Sequence, residues 1–263
     1  MGIKNLIFFG GDMKKIRIVV AVLCFNGLLA LFSITAAPDF LILGVTKCGT
    51  TSLYDYIVKH PKILGARTKE LHFFDNNYEK GIDWYHQQFP QKKSMDELIG
   101  EATPRYFWHQ TCMKRIFEHC PNTKFIVIFR NPVKRVVSEY YRRRRSGAER
   151  LDFERAILQP QLRERYIEAG LYIEHLERWL SIFPKNQILV LILEDLAKAP
   201  EQEVNKIFKF LGLGEYKLHS YEIRNQAQYD INKIQPETIN TLKHFYEPYN
   251  KKLEIFLGRT LPW

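Results

Sequence analysis

The sequence predicts an α/β fold of three layers, a central parallel sheet with helices on both faces. Three short apolar runs carry that reading: Phe40–Val45, Phe125–Phe129 and Ile188–Leu193. Each is too short for an independent helix and too uniformly apolar for a half-exposed strand, which suits strands buried on both faces. A helical pattern follows each run, and buried strands alternating with helices imply a parallel sheet with both faces covered. At 263 residues, 46% of them hydrophobic, the chain has the material for one such domain.

Ahead of that domain, Ile16 to Ala37 reads IRIVVAVLCFNGLLALFSITAA, nearly uncharged after Arg17 and preceded by Lys14 and Lys15. The run is long enough to span a bilayer as a helix. Its basic flank would stay cytoplasmic and send the rest of the chain across, as in a signal anchor. Thr35-Ala36-Ala37 equally suits cleavage of a signal peptide. A buried core helix is the third reading, opposed by the lack of a polar face. Residues 1–37 are therefore expected to be a signal anchor or signal peptide and residues 38–263 the folded domain, either held at a membrane on the exported side or released as a secreted or periplasmic protein.

The remaining elements follow in order. After Phe40–Val45 a helix is expected over Thr51 to Lys59, stopped by Pro61. Between Gly65 and Arg105 no period is clear, so this stretch reads as loops and short elements around a site. Further helices are expected over about Pro132–Arg145, Tyr172–Ile182, Glu201–Leu211 and Pro236–Leu257.

Composition narrows the partners. The excess of 39 Lys+Arg over 29 Asp+Glu, a net +10, favours an anionic partner such as a nucleotide, a polyanionic sugar, nucleic acid or a membrane surface. Cys24, Cys48, Cys112 and Cys120 have neither the paired spacing of a zinc site nor the density of a disulfide scaffold. Cys112 and Cys120 are either a pair in an exported domain or two free thiols.

Chemistry concentrates after two of the strands. Gly44-Val-Thr-Lys-Cys-Gly49-Thr50-Thr51-Ser52 joins the first strand to its helix, where backbone N–H groups can hold a phosphate. The glycines have the spacing of a Walker A loop, but Thr50 stands where that loop has lysine, and Lys47 lies inside it. The sheet is thus of P-loop type with a cradle for a donor other than ATP, although a strand-to-helix turn with an N-cap Thr is the plain alternative. After Phe129 comes Arg130-Asn-Pro132-Val-Lys-Arg135-Val-Val-Ser138-Glu-Tyr140, with Pro132 placed to open a helix. Arg130 then stands at the carboxyl end of a buried strand, where open α/β sheets bind ligands, and Ser138 lies two turns on. An arginine fork and a hydroxyl suit a second, separate phosphate. Arg142 to Arg145 fan around the helix, so they cannot all face one ligand.

These two stretches resemble the 5′-phosphosulfate loop and the 3′-phosphate motif of sulfotransferases that use 3′-phosphoadenosine 5′-phosphosulfate (PAPS). Lys69-Glu-Leu-His-Phe-Phe-Asp75, Gly81-Ile-Asp-Trp-Tyr85, Glu101-Ala-Thr-Pro-Arg-Tyr106 and Gly258-Arg-Thr-Leu-Pro-Trp263 are similar to the heparan sulfate N- and 3-O-sulfotransferase branch. The resemblance covers Phe40 to Trp263. It implies a catalytic domain that moves a sulfuryl group from PAPS to a hydroxyl or amine, with an anionic glycan such as heparan sulfate as acceptor, no required metal and no nucleic acid partner. In a eukaryote it implies the Golgi lumen. Donor binding falls to Lys47, Cys48, Gly49, Thr50, Thr51, Ser52, Arg130 and Ser138.

The same resemblance makes Glu70 the catalytic base. If that stretch is extended, Glu70 and His72 project to one side, which leaves His72 as acceptor contact or reserve base and Glu101 as a weaker alternative. Lys47 is expected to stabilise the leaving oxygen. Arg224-Asn-Gln-Ala-Gln-Tyr229 runs into Ile234 without the disulfide loop and Lys-Gly-Arg segment common in the heparan sulfate branch, so another small acceptor stays open. Two competing readings also stand. An ATP-dependent kinase would use Glu194-Asp195 as its metal carboxylates, and a non-enzymatic binder of polyanions would need only the positive charge.

Overall fold

The computed structural model of the chain describes residues 37–222 and 233–263. Five strands form its sheet: β1 (Phe40–Gly44), β2 (Ile63–Gly65), β3 (Leu98–Ala102), β4 (Lys124–Phe129) and β5 (Ile188–Ile192). All neighbouring pairs are parallel, in the order β2-β3-β1-β4-β5. Helices α1 (Thr50–Ile57), α2 (Gly81–His86), α3 (Cys112–His119), α4 (Pro132–Arg145) and α5 (Phe153–Ile157) lie in the first part of the chain. They are followed by α6 (Arg163–Tyr166), α7 (Tyr172–Leu180), α8 (Leu193–Lys198), α9 (Pro200–Leu211) and α10 (Pro236–Leu257). Helix α1 packs with α9 and α7 with α10, so the sheet is flanked by helices as its apolar strands require.

All three expected strands form, and β1 and β4 are buried along nearly their whole length. Helices α4 and α10 span the expected residues, and α1, α7 and α9 differ from expectation by one or two residues at their ends. Asn131 caps α4 by accepting from the Lys134 N–H at 3.1 Å, and Pro132 occupies the first turn, where its missing N–H costs nothing.

The stretch 65–105 holds short elements, as expected, but one of them is a sheet strand that the sequence did not single out. It contains α2 and the strand β3, which lies between β1 and β2 in the sheet. Its sequence, Leu-Ile-Gly-Glu-Ala, hides the strand because two of its five residues are Gly100 and Glu101. Both are dictated by neighbours: a Cβ on Gly100 would lie 2.5 Å from the Phe40 ring, and Glu101 is a fully buried carboxylate. Cys112 and Cys120 stand at opposite ends of α3, buried and free. Eight residues of helix separate them by about 12 Å of rise, beyond the reach of a disulfide.

The C-terminal stretch closes against the domain through Arg259, 2.6 Å from Asp195, and through the Leu261 N–H, which donates to Glu254 at 2.8 Å. No helix among the described residues is long and apolar enough to cross a membrane. The segment 16–37, apart from Ala37, and residues 224–229 lie outside the described residues, as does Cys24.

Candidate active site

The loop after β1 is shaped by three backbone choices. Lys47 and Gly49 both sit in the left-handed region, at φ 71° and 84°. A side chain on Gly49 would meet Leu193 at 2.6 Å, so only glycine lets the turn close on α8. The Cys48 N–H donates to the Val45 carbonyl at 3.0 Å, while its thiol is buried 3.6 Å from the Tyr172 hydroxyl. Cys48, expected among the donor-binding residues, therefore shapes the loop from beneath with both its polar groups. The first bond of α1 runs from Leu53 to the Gly49 carbonyl at 3.1 Å. The amides of Thr50, Thr51 and Ser52 precede it and have no carbonyl within the helix to bind. That places an N-terminal set of donors, with the positive end of the helix, at the carboxyl edge of the sheet.

Arg130, at the end of β4, joins the second motif to the first. Its guanidinium donates to the Lys47 carbonyl at 3.2 Å, and its own carbonyl accepts from the Tyr172 hydroxyl at 2.9 Å. Ser138 is buried on α4 beside the equally buried Glu139. Burial pulls the Lys47 ammonium below its ordinary 10.5; Glu139 opposes the shift and the cations Arg142, Arg145 and Arg130 reinforce it. One carboxylate against three arginines leaves a local excess of positive charge, the condition for receiving a polyanion.

Of the four arginines at the end of α4, Arg142 grips Glu139 with two bonds of 2.7 and 3.0 Å. Arg143 and Arg144 donate to the carbonyls of Ala148 and Arg150, each at 2.8 Å, and so tie down the turn after the helix. Arg142 also feels the Glu70 carboxylate, which adds to the rise of its pKa behind the first effect, the bond to Glu139. It thus lies within electrostatic reach of both Lys47 in the phosphate loop and the expected base, which helical fanning alone did not single out.

Glu70 and His72 come together, but not as alternate residues of an extended strand. Both have left-handed backbones, with φ 62° and 51°. Lys47, Glu70 and His72 are the non-glycine residues with positive φ among the described residues. Such conformations are costly and persist where surrounding structure holds them. The turn brings His72 Nε2 to 3.4 Å from Glu70 Oε2 and His72 Nδ1 to 2.8 Å from Asp75 Oδ2. Lys69 lies 2.7 Å from the other Glu70 oxygen, and Arg105 is 3.6 Å from Asp75.

Asp75 and Glu70 hold the imidazole proton, so His72 is pushed up to about 9 and is a cation at neutral pH. The His72 bond is also the chief reason that Glu70 falls to about 2, with burial opposing and Lys69 assisting. Burial works against ionisation of Asp75, but the bond and charge of His72 outweigh it and keep that carboxyl below its ordinary value. Asp75 was not singled out by the sequence reading, although its place three residues after His72 within the motif was the available signal.

Beneath this turn lies the Glu101 network. Glu101 accepts from Thr103 Oγ1 at 2.6 Å and from the hydroxyls of Tyr85 and Tyr106, each at 3.0 Å. Tyr106 in turn accepts from the Phe73 N–H at 2.8 Å, and Thr103 from the His72 N–H at 3.3 Å. The Glu70 N–H reaches the Ala102 carbonyl at 3.2 Å. Burial raises the Glu101 pKa against the pull of those three hydroxyls. Fully enclosed, Glu101 supports the turn that aims Glu70 and His72 and has no exposed surface from which to meet an acceptor. Glu194 and Asp195, the carboxylates a kinase would need for metal, are each engaged by protein groups through one oxygen, while Glu194 Oε2 is buried without a partner among the described residues. Glu194 accepts from the Asn131 N–H at 3.1 Å and Asp195 holds Arg259.

Residues 37–247 match the family described as "Sulfotransferase domain". Heparan sulfate glucosamine 3-O-sulfotransferase 5 of Mus musculus is 30% identical over 257 residues, covering 86% of this chain and 74% of that protein. Membrane-associated sulfotransferase kil1 of Dictyostelium discoideum is 26% identical over 314 residues, covering 86% of this chain and 66% of its own. A sulfotransferase structure from Alicyclobacillus acidocaldarius superposes with a TM-score of 0.74 at 27% identity, covering 86% of this chain and 98% of the other. A mouse sulfotransferase complexed with PAP shares the fold, with a TM-score of 0.59 at 15% identity over 83% of this chain and 85% of that one.

Proposed function

The chain belongs to the sulfotransferase domain family, and we propose that its site moves a sulfuryl group from PAPS to a hydroxyl or amine of an anionic glycan, heparan sulfate being the expected acceptor. The observation that carries this reading is that left-handed Lys47, just past the end of β1, and left-handed Glu70, whose N–H bonds the last residue of β3 at 3.2 Å, both stand at the carboxyl edge of the sheet, where Arg130 ties the two phosphate motifs together. Backbone conformations that cost energy at residues of complementary chemistry are what a preorganised site requires.

PAPS supplies the activated sulfuryl group and the leaving phosphate. The residues fit it in number and place. The amides and hydroxyls of Thr50, Thr51 and Ser52, at the start of α1, take the 5′-phosphate, and Arg130 with Ser138 takes the 3′-phosphate. Lys47 places its ammonium where negative charge develops on the departing oxygen. Glu70 accepts the acceptor's proton. Its low pKa keeps it ionised at every working pH, so it is present in the form that can take a proton. His72, held by Asp75, orients that carboxylate. Lys69 at Glu70, Arg105 at neighbouring Asp75, and Arg142 within electrostatic reach of Glu70 give this part of the site positive charge suited to an anionic sugar.

The relatives named for heparan sulfate support the glycan, as does the net charge of +10. The domain of residues 38–263 is anchored by residues 1–37 and faces the exported side of the membrane, the Golgi lumen in a eukaryote. The membrane-associated relative supports this placement. The test is incubation of the full chain with sulfur-labelled PAPS and a panel of glycosaminoglycans, glycolipids, tyrosine peptides and small phenols. Label on heparan sulfate is the expected result. Label confined to peptides or phenols would overturn the glycan assignment, and absence of PAPS-dependent label from every acceptor would overturn the reaction.

A further inference from the structure

The amino ends of the strands form the edge of the sheet opposite the site, and the chain enters the folded body there. Ala37 packs against the core, and the Pro38 carbonyl accepts from Thr123 Oγ1 at 2.6 Å. The Asp39 N–H donates to the Ile99 carbonyl at 2.8 Å, and the Asp39 carbonyl accepts from the Lys124 N–H at 2.9 Å. Residues 38 and 39 are thus stitched between the amino ends of β3 and β4.

Large apolar side chains stand in water on the same edge. Met95, three residues ahead of β3, is 98% exposed. Phe117, near the end of α3 where the chain turns into β4, is 48% exposed, with its ring 5.7 Å from that of Phe183 just ahead of β5. Beside them an apolar hollow of about 190 Å³ opens along the edge strand, lined by Leu180, Lys185, Ile188, Val190 and Phe256. Lys93 and Lys185 are exposed on this rim; of its acids, Asp39 and Asp96 are paired with Lys92 at 2.7 Å and Lys62 at 2.6 Å, Glu97 accepts from the Lys93 N–H at 2.5 Å and Glu118 from the Tyr78 hydroxyl at 3.4 Å.

We infer that this edge rests on the interface of a phospholipid bilayer, with Met95 and Phe117 at headgroup depth and the site turned toward the aqueous side. The inference depends on residues 16–37 acting as an uncleaved anchor. Its physical basis is the absence of slack: an extended chain gains at most about 3.6 Å per residue, and the apolar run ends at Ala37, one residue before the first stitch at Pro38. No spacer lifts the body away, so whatever surface surrounds Pro38 lies within the headgroup layer. Apolar groups forced to that depth are favourable there, and lysine stems can lie along them with their charges in the headgroups. A polymeric acceptor then reaches Glu70 from the aqueous side without approaching the membrane.

The test uses the full chain with Cys24→Ser, reconstituted into vesicles of equal parts phosphatidylcholine and phosphatidylglycerol. Single cysteines are introduced by Met95→Cys, Phe117→Cys and, as reference, Leu158→Cys, which is 77% exposed on the segment packed beside α4. The remaining native cysteines are buried and stay unlabelled. A fluorophore at each position is challenged with nitroxide-headgroup lipid. Several-fold stronger quenching at 95 and 117 than at 158 is expected. Equal quenching at the three positions in chain that floats with the vesicles overturns the orientation alone. Chain that does not float overturns the anchor, and the orientation with it.

Discussion

Replacing Glu70 by Gln removes the proton acceptor while keeping nearly all of the volume. The carboxamide oxygen can still accept from Lys69, now 2.7 Å away, but its NH2 then faces His72 Nε2, which the carboxylate approaches at 3.4 Å. Loss of general-base catalysis is worth roughly 10²–10⁴ in rate, or about 2.7–5.5 kcal/mol at 1.36 kcal/mol per decade. Glu70 bonds to Lys69, His72 and the Ala102 carbonyl rather than to the donor-binding residues, so donor affinity should remain near wild type. The imidazole should also lose one of the two carboxylates that raise it to about 9, and its pKa should fall. The assay pairs single-turnover transfer from labelled PAPS with PAP affinity by calorimetry and the His72 titration by NMR. Full transfer by folded Glu70→Gln, with the His72 titration shifted as expected, would refute the assignment of the base. A proportionate loss of PAP affinity would instead show that Glu70 acts on donor binding.

Lys47→Ala should lower turnover by about 10²–10³, the range for loss of one transition-state donor, with the fold intact by circular dichroism. Arg130→Ala and Ser138→Ala should weaken PAP binding more than binding of adenosine 5′-phosphosulfate, which calorimetry on both ligands would check; equal losses would discard the 3′-phosphate site. Asp75→Asn removes the first of the groups that raise His72, so activity should fail at lower alkaline pH than in wild type. The same shift has a stability sign: because the folded pKa of about 9 exceeds the ordinary 6.5, the stabilisation from His72 is full below about 6.5 and lost as pH rises through 9. Thermal melts of wild type and Asp75→Asn should therefore converge over that window. Glu101→Ala should destabilise the domain by about 1–3 kcal/mol for each hydroxyl left unpaired in the core, and Glu101→Gln by less, as read by denaturant unfolding.

The phosphate loop, the Arg130 to Ser138 stretch and the three apolar strands were legible because each is a local signal. A buried parallel strand must be apolar on both faces, a phosphate cradle needs glycine at its turn, and Pro132 can only open a helix. Strand β3 was not legible, since its Gly100 answers to the distant Phe40 ring and its Glu101 to Tyr85 as well as to nearby Thr103 and Tyr106. Neither demand can be seen within five residues of sequence. The Glu70 turn shows the same division. Residue types at positions 69 to 75 pointed to acid-base chemistry, but in place of the extended conformation that would have set Glu70 and His72 on one side there are two left-handed residues, and these bring His72 between Glu70 and Asp75. The sequence by itself determined the layers of the fold, the reaction family and the chemical groups available for transfer. Tertiary structure alone decided that Glu101 supports the site from within, that Arg142 pairs with buried Glu139, and that Cys48 turns inward, because burial and pairing settle which way a side chain can point.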